Sequence, residues 1–130
     1  MTIKEIENYW VASSDDDMET SKVLFVKRKY VQSMFFLHLS VEKILKALYV
    51  RKNNAEAPFG HNLQILAQKT PDVPFEKEHL ETLAKMTTFN ITARYDDYKR
   101  SFYKICNEDF ADKYLRIGQE MIKWLKSQMK

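Results

Sequence analysis

Cysteine is almost missing from this chain: Cys106 stands alone among 130 residues, which excludes an intrachain disulfide and any Cys-rich metal site. Nothing around Cys106 would activate a nucleophile, so it reads as a half-buried small side chain. Chain breakers are also scarce, with two glycines and three prolines, and Pro58, Gly60, Pro71 and Pro74 crowd the middle third. The long stretches on either side therefore favour helices. No long apolar run occurs. The longest, Tyr30 to Leu39, contains Gln32, Ser33 and His38 and is too short to span a bilayer. The opening residues Met1-Thr2-Ile3-Lys4-Glu5 have no secretory pattern, so a cytoplasmic protein without a membrane partner is expected. Internal repeats, low-complexity segments and flexible linkers are absent as well.

What is present suits one domain spanning residues 1–130. The apolar content of 45% can bury one core of moderate size, and the 30% of charged residues mixes both signs. A formal charge of +3 gives a mild basic bias that permits an anionic partner without requiring one. The acidic run Asp15-Asp16-Asp17 has no Gly and no further oxygen ligands at loop spacing. It reads as a solvated helix turn, with no metal or cofactor implied, and as a break between two helical pieces.

The first helix begins at Thr2, because Thr2-Ile3-Lys4-Glu5 has the capping-box spacing. Val11, Met18 and Phe25 recur every seven residues with Ser14 and Ser21 between them, a stripe that lets another helix approach closely. The second helix carries the clearest period: Tyr30, Met34, Leu37, Val41, Ile44 and Leu48 step by four and three residues, and Phe35 and Leu39 widen the arc. This predicts a central helix whose exposed remainder is Gln32, Glu42, Lys43 and Lys46. A loop from Arg51 to Gly60 follows, then a third helix over Asn62 to Lys69 and a fourth over Glu76 to Met86, with His79 facing solvent. The segment Thr87 to Cys106 mixes β-branched and aromatic residues without a clean period and is expected to be partly irregular. Asn107 caps the last helix, whose buried stripe is Phe110, Tyr114, Ile117, Met121 and Trp124 or Leu125. The expected architecture is all-α, an up-and-down bundle of four to five helices.

The order of particular residues adds a family resemblance. Trp10 and Ala12 precede an acidic position among Asp15 to Asp17. Tyr30 leads into Phe35-Phe36-Leu37-His38-Leu39-Ser40-Val41-Glu42-Lys43-Ile44-Leu45-Lys46-Ala47-Leu48. His61-Asn62-Leu63 and Ala93-Arg94-Tyr95-Asp96-Asp97 follow. Over nearly the whole chain this resembles the HEPN family, the helical domains found beside minimal nucleotidyltransferases. His38 stands where the family usually has Gln, Asn62 where it has Asp, and Asp96 where it has Pro. Ribonuclease members of the wider superfamily carry an Arg with a His after four to six intervening residues. No arginine here has one, since His38 and His61 each follow an Arg by ten residues.

The resemblance implies a nucleotide- or RNA-binding domain, a homodimer, or one half of a toxin–antitoxin-type pair with a nucleotidyltransferase. Its matched polar positions, His38, Glu42, Lys43, Lys46, His61, Arg94, Tyr95 and Asp97, are candidates to line one cleft. Arg94 offers a planar fork for phosphate, Lys43 and Lys46 offer point charges, and Tyr95 offers a stacking ring. A structural reading stands beside it, in which Arg94 pairs with Glu42 or Asp97, His61 caps the third helix and His38 is a satisfied core residue. Two further functions remain open: a divergent metal-independent ribonuclease with His38 or His61 as base, and a dimerisation module whose seam uses Trp10, Phe35, Phe36 and Trp124. The basic cluster Lys22, Lys27, Arg28 and Lys29, and the aromatic and basic interleaving from Tyr95 to Lys104, are weaker nucleic-acid signals.

Overall fold

Thr2 starts the first helix as the capping box requires: its hydroxyl accepts from the Glu5 N–H and the Glu5 carboxylate accepts from the Thr2 N–H, both at 3.1 Å. The computed structural model describes residues 1–94 and 96–130, with side chains for 1–90 and 100–130. Among the described residues six helices follow in order: α1 (Ile3–Val26), α2 (Tyr30–Asn53), α3 (Leu63–Gln68), α4 (Lys77–Arg94), α5 (Asp96–Ile105) and α6 (Glu108–Ser127). The expected all-α bundle is found, with more helices than the four to five anticipated.

α1 does not break at its acidic run. Asp17 pairs with Lys43 at 2.6 Å and Asp15 with Lys126 at 2.8 Å, so cations of α2 and α6 neutralise the carboxylates and the helix continues through them. α1 ends in a Schellman-type turn. The Lys29 N–H reaches the Leu24 carbonyl at 2.8 Å and the Arg28 N–H the Phe25 carbonyl at 2.9 Å, with Arg28 at φ +62°, a position that favours glycine.

α1 and α2 then lie antiparallel with two serine rungs between them. Ser14 and Ser40 each donate a hydroxyl to the other's backbone carbonyl, at 2.7 and 2.8 Å, and Ser21 and Ser33 do the same at 2.7 Å each. All four serines are fully buried. Seven residues forward on α1 therefore correspond to seven back on α2, the register of an antiparallel heptad seam. At the far end, buried Glu7 accepts from Lys4 at 3.1 Å and from Arg51 of α2 at 3.4 Å.

α2 is the centre of the molecule and packs against all five other helices. Of its predicted seam, Met34, Leu37, Val41, Ile44 and Leu48 are completely buried and Tyr30 is partly buried. α6 approaches closely at Gly118, where a Cβ would collide with Leu37. The described part of the stretch expected to be partly irregular is mostly helical instead: α4 runs on to Arg94, and α5 covers Asp96–Ile105. The Thr87 hydroxyl donates to the Leu83 carbonyl at 2.9 Å and that of Thr88 to the Lys85 carbonyl at 2.6 Å, so both β-branched residues satisfy their polar atoms within the helix. Phe89, Phe102, Phe110 and Tyr114 join α4, α5 and α6 through ring contacts of 4.8 to 5.9 Å between centroids. His79 does not simply face solvent, because it stacks on Trp124 at 4.1 Å.

Candidate functional site

Three of the candidate residues sit on one line of α2. His38, Glu42 and Lys46 are four residues apart, the spacing that stacks side chains one turn above the next. All three are buried, at 0%, 4% and 6% exposure, which corrects the expectation that Glu42 and Lys46 belong to the exposed remainder of the helix. They tolerate burial because each is partnered. Glu42 Oε2 accepts from Lys46 Nζ at 3.1 Å, and the ammonium lies 5.1 Å from the centroid of the Trp10 ring.

The fourth residue comes from the loop between α2 and α3, and it is held twice. The His61 carbonyl lies 2.9 Å from His38 Nε2, and its own Nδ1 lies 2.8 Å from Glu42 Oε1. A carbonyl and a carboxylate only accept, so His38 donates from Nε2 and His61 donates from Nδ1. His61 Nε2 is thereby left as the ring's outward atom on a side chain that is 58% exposed. A buried carboxylate thus fixes the plane of an exposed imidazole, and with Nδ1–H engaged the Nε2 atom accepts when the ring is neutral and donates to an anion only when the ring is doubly protonated. This is the orienting arrangement that acid–base and phosphate-binding histidines use.

His38 plays another part. Burial pushes its pKa below 6.5, against the raising effect of the His61 carbonyl and the Glu42 charge, so the ring is neutral at pH 7. Its Nδ1 is buried without a partner among the described residues. It anchors the loop through Nε2, and its side chain is fully buried.

Lys43 points away from this cluster, to Asp17 on α1. His61 does not cap α3. That role falls to Asn62, whose Oδ1 accepts from the Ile65 N–H at 3.0 Å. A connection with no signature in the sequence is that of Thr87, whose hydroxyl accepts from the Leu63 N–H at 3.0 Å and ties the start of α3 to α4. Arg94 closes α4, but its side chain and those of Tyr95 and Asp97 lie outside the described residues. Among the described residues, no group of three or more His, Cys, Asp or Glu side chains could hold a metal ion. No described helix is long and apolar enough to cross a membrane. Of the aromatics considered for a dimer seam, Trp10 and Trp124 pack on the core of their own chain, while Phe35 and Phe36 meet each other edge to face.

Comparison with known proteins places this arrangement in a family. The sequence pattern of the HEPN domain matches residues 7–128. The fold is similar to the crystal structure of TT1696 from Thermus thermophilus, with a TM-score of 0.81 and 17% identity over 94% of this chain and 97% of that one. It is also similar to ST0689, described as an archaeal HEPN homologue, with a TM-score of 0.75 and 17% identity over 100% of this chain and 99% of that one. No curated protein matches the chain.

Proposed function

We propose that this chain, which belongs to the HEPN domain family, is a cytoplasmic binding domain that holds the phosphate of a nucleotide or RNA at His61. On this reading it acts as a homodimer or beside a nucleotidyltransferase, as one half of a toxin–antitoxin-type pair. The observation that carries the reading is the 2.8 Å contact between Glu42 and His61. It holds a ring nitrogen towards solvent in one orientation, so a ligand that binds there finds the side chain already ordered. Arg94 and Tyr95 would add a guanidinium fork and a ring from the segment that follows α4.

Binding is preferred over catalysis on physical grounds. Transfer at a phosphodiester needs a base and an acid within reach of the reacting atoms. His38, one of the two bases considered, is fully buried. That leaves His61 alone to serve both roles in this cluster. Fluorescence anisotropy with single-stranded RNA, repeated with Arg94→Ala, tests the binding reading, and an unbound probe at low salt would sink it. RNA cleavage that survives EDTA and disappears in His61→Ala would favour the ribonuclease instead. Light scattering checks the homodimer, and co-purification with a nucleotidyltransferase checks the pair.

A further inference from the structure

Two basic and aromatic segments separated by over seventy residues of sequence meet at one end of the bundle, away from His61. The turn between α1 and α2 supplies Arg28 and Lys29, the start of α2 supplies Tyr30 and Gln32, and the end of α5 supplies Tyr103. Together they line a recess of about 320 Å³. That volume is at the lower end of the range for small-ligand sites. The recess is more enclosed than the larger grooves beside α6.

Its chemistry favours an anion with a flat group attached. No carboxylate occurs among the described residues that line it, and neither Arg28 nor Lys29 makes an ion pair with a described residue. Two adjacent cations with no ion pair among the described residues raise the local potential, and a guanidinium matches a phosphate bidentately. Tyr30 and Tyr103 line it together with Val31, Gln32 and Cys106. Tyr30 is braced edge to face on Phe25 at 5.6 Å, and the Tyr103 hydroxyl is fixed by Gln32 Nε2 at 2.9 Å. Rings beside phosphate-binding cations are the elements with which proteins hold single strands without reading their sequence.

We propose that this recess is a second phosphate-binding point for single-stranded RNA, with Arg28 and Lys29 on a phosphate and the Tyr30 and Tyr103 rings beside a base. Tyr30 lies eight residues from His38 along α2, about 12 Å at helical rise. The recess is therefore separate from the His61 cluster and stands or falls independently of it.

The test uses Arg28→Gly, because glycine suits the positive φ at this position better than arginine and the variant should melt no lower than the wild type. Binding of a short labelled oligouridine is followed by anisotropy at several salt concentrations. The expected result is an affinity about tenfold lower, from loss of a charged hydrogen bond. The slope of log affinity against log salt should also flatten by about 0.7, the share of one phosphate on a single strand. Tyr103→Phe should keep most of the affinity and Tyr103→Ala should lose it. Unchanged affinity in Arg28→Gly overturns the recess, even if His61→Ala weakens binding and upholds the other site. An Arg28 effect with no His61 effect supports the recess alone. Arg28-dependent binding to phosphatidylserine vesicles without binding to RNA overturns it in favour of a lipid surface.

Discussion

Glu42 and His61 are nineteen residues apart in sequence, and the buried carboxylate of the first accepts a hydrogen bond from Nδ1 of the second at 2.8 Å. The same carboxylate also receives Lys46, so one ionised group orients the exposed imidazole and compensates a buried ammonium. Replacing Glu42 by Gln strips Lys46 of its counter-charge. We expect a loss of about 3 kcal/mol in urea unfolding, the usual result of breaking a buried pair from one side. Glu42→Gln combined with Lys46→Met should recover much of it. A single variant as stable as the wild type would show that the pair contributes little.

His38 makes stability depend on pH. Its folded pKa lies below the 6.5 of the free side chain because burial disfavours the charged ring. Below 6.5 the unfolded chain therefore binds the proton more readily than the folded one, and stability falls as pH drops from 6.5 through the folded pKa. Above 6.5 the contribution is constant. Unfolding curves collected from neutral to mildly acidic pH should show this slope, and His38→Gln should reduce it. The same slope in both proteins would assign it to other groups.

The serine rungs predict a graded response. Ser14→Ala removes the hydrogen bond that its hydroxyl donates to the Ser40 carbonyl, while Ser40 still donates to the Ser14 carbonyl, and should cost about 1 kcal/mol. Ser14→Val must also fit a branched side chain between helices in contact, adding about 1–3 kcal/mol. Thermal melts of the two variants read the difference. Equal melting temperatures would mean that the helices separate easily here.

Cys106 should be inert. It is 4% exposed, and burial pushes its thiol up to about 12, so almost no thiolate forms near neutrality. A thiol reagent at pH 8 should label the protein in urea and leave the folded protein untouched. Rapid labelling of the folded form would contradict the placement of Cys106.

The central helix and the Thr2 and Asn107 caps were legible in sequence because period and capping are local signals. The continuity of α1 was not, since it depends on Lys43 and Lys126 reaching acidic residues from other helices. Glu42 and Lys46 were read as exposed because charge usually marks a surface. Their burial follows from partners, Trp10 and His61, that only tertiary structure supplies. The helical course of Thr87 and Thr88 was hidden for a similar reason, as propensity does not show that a hydroxyl will bond back to its own helix. Of the eight candidate site residues, the fold brings His38, Glu42, Lys46 and His61 together and sends Lys43 to α1.

Calorimetric titration of a mononucleotide and a short single-stranded RNA into wild-type protein and His61→Ala tests the central claim most directly. The variant should keep the wild-type circular dichroism, because the His61 side chain is largely exposed and the backbone carbonyl that His38 holds is retained. The account predicts saturable binding to the wild type, about tenfold weaker in the variant. Equal affinity in the two proteins, or no binding by either, would contradict it.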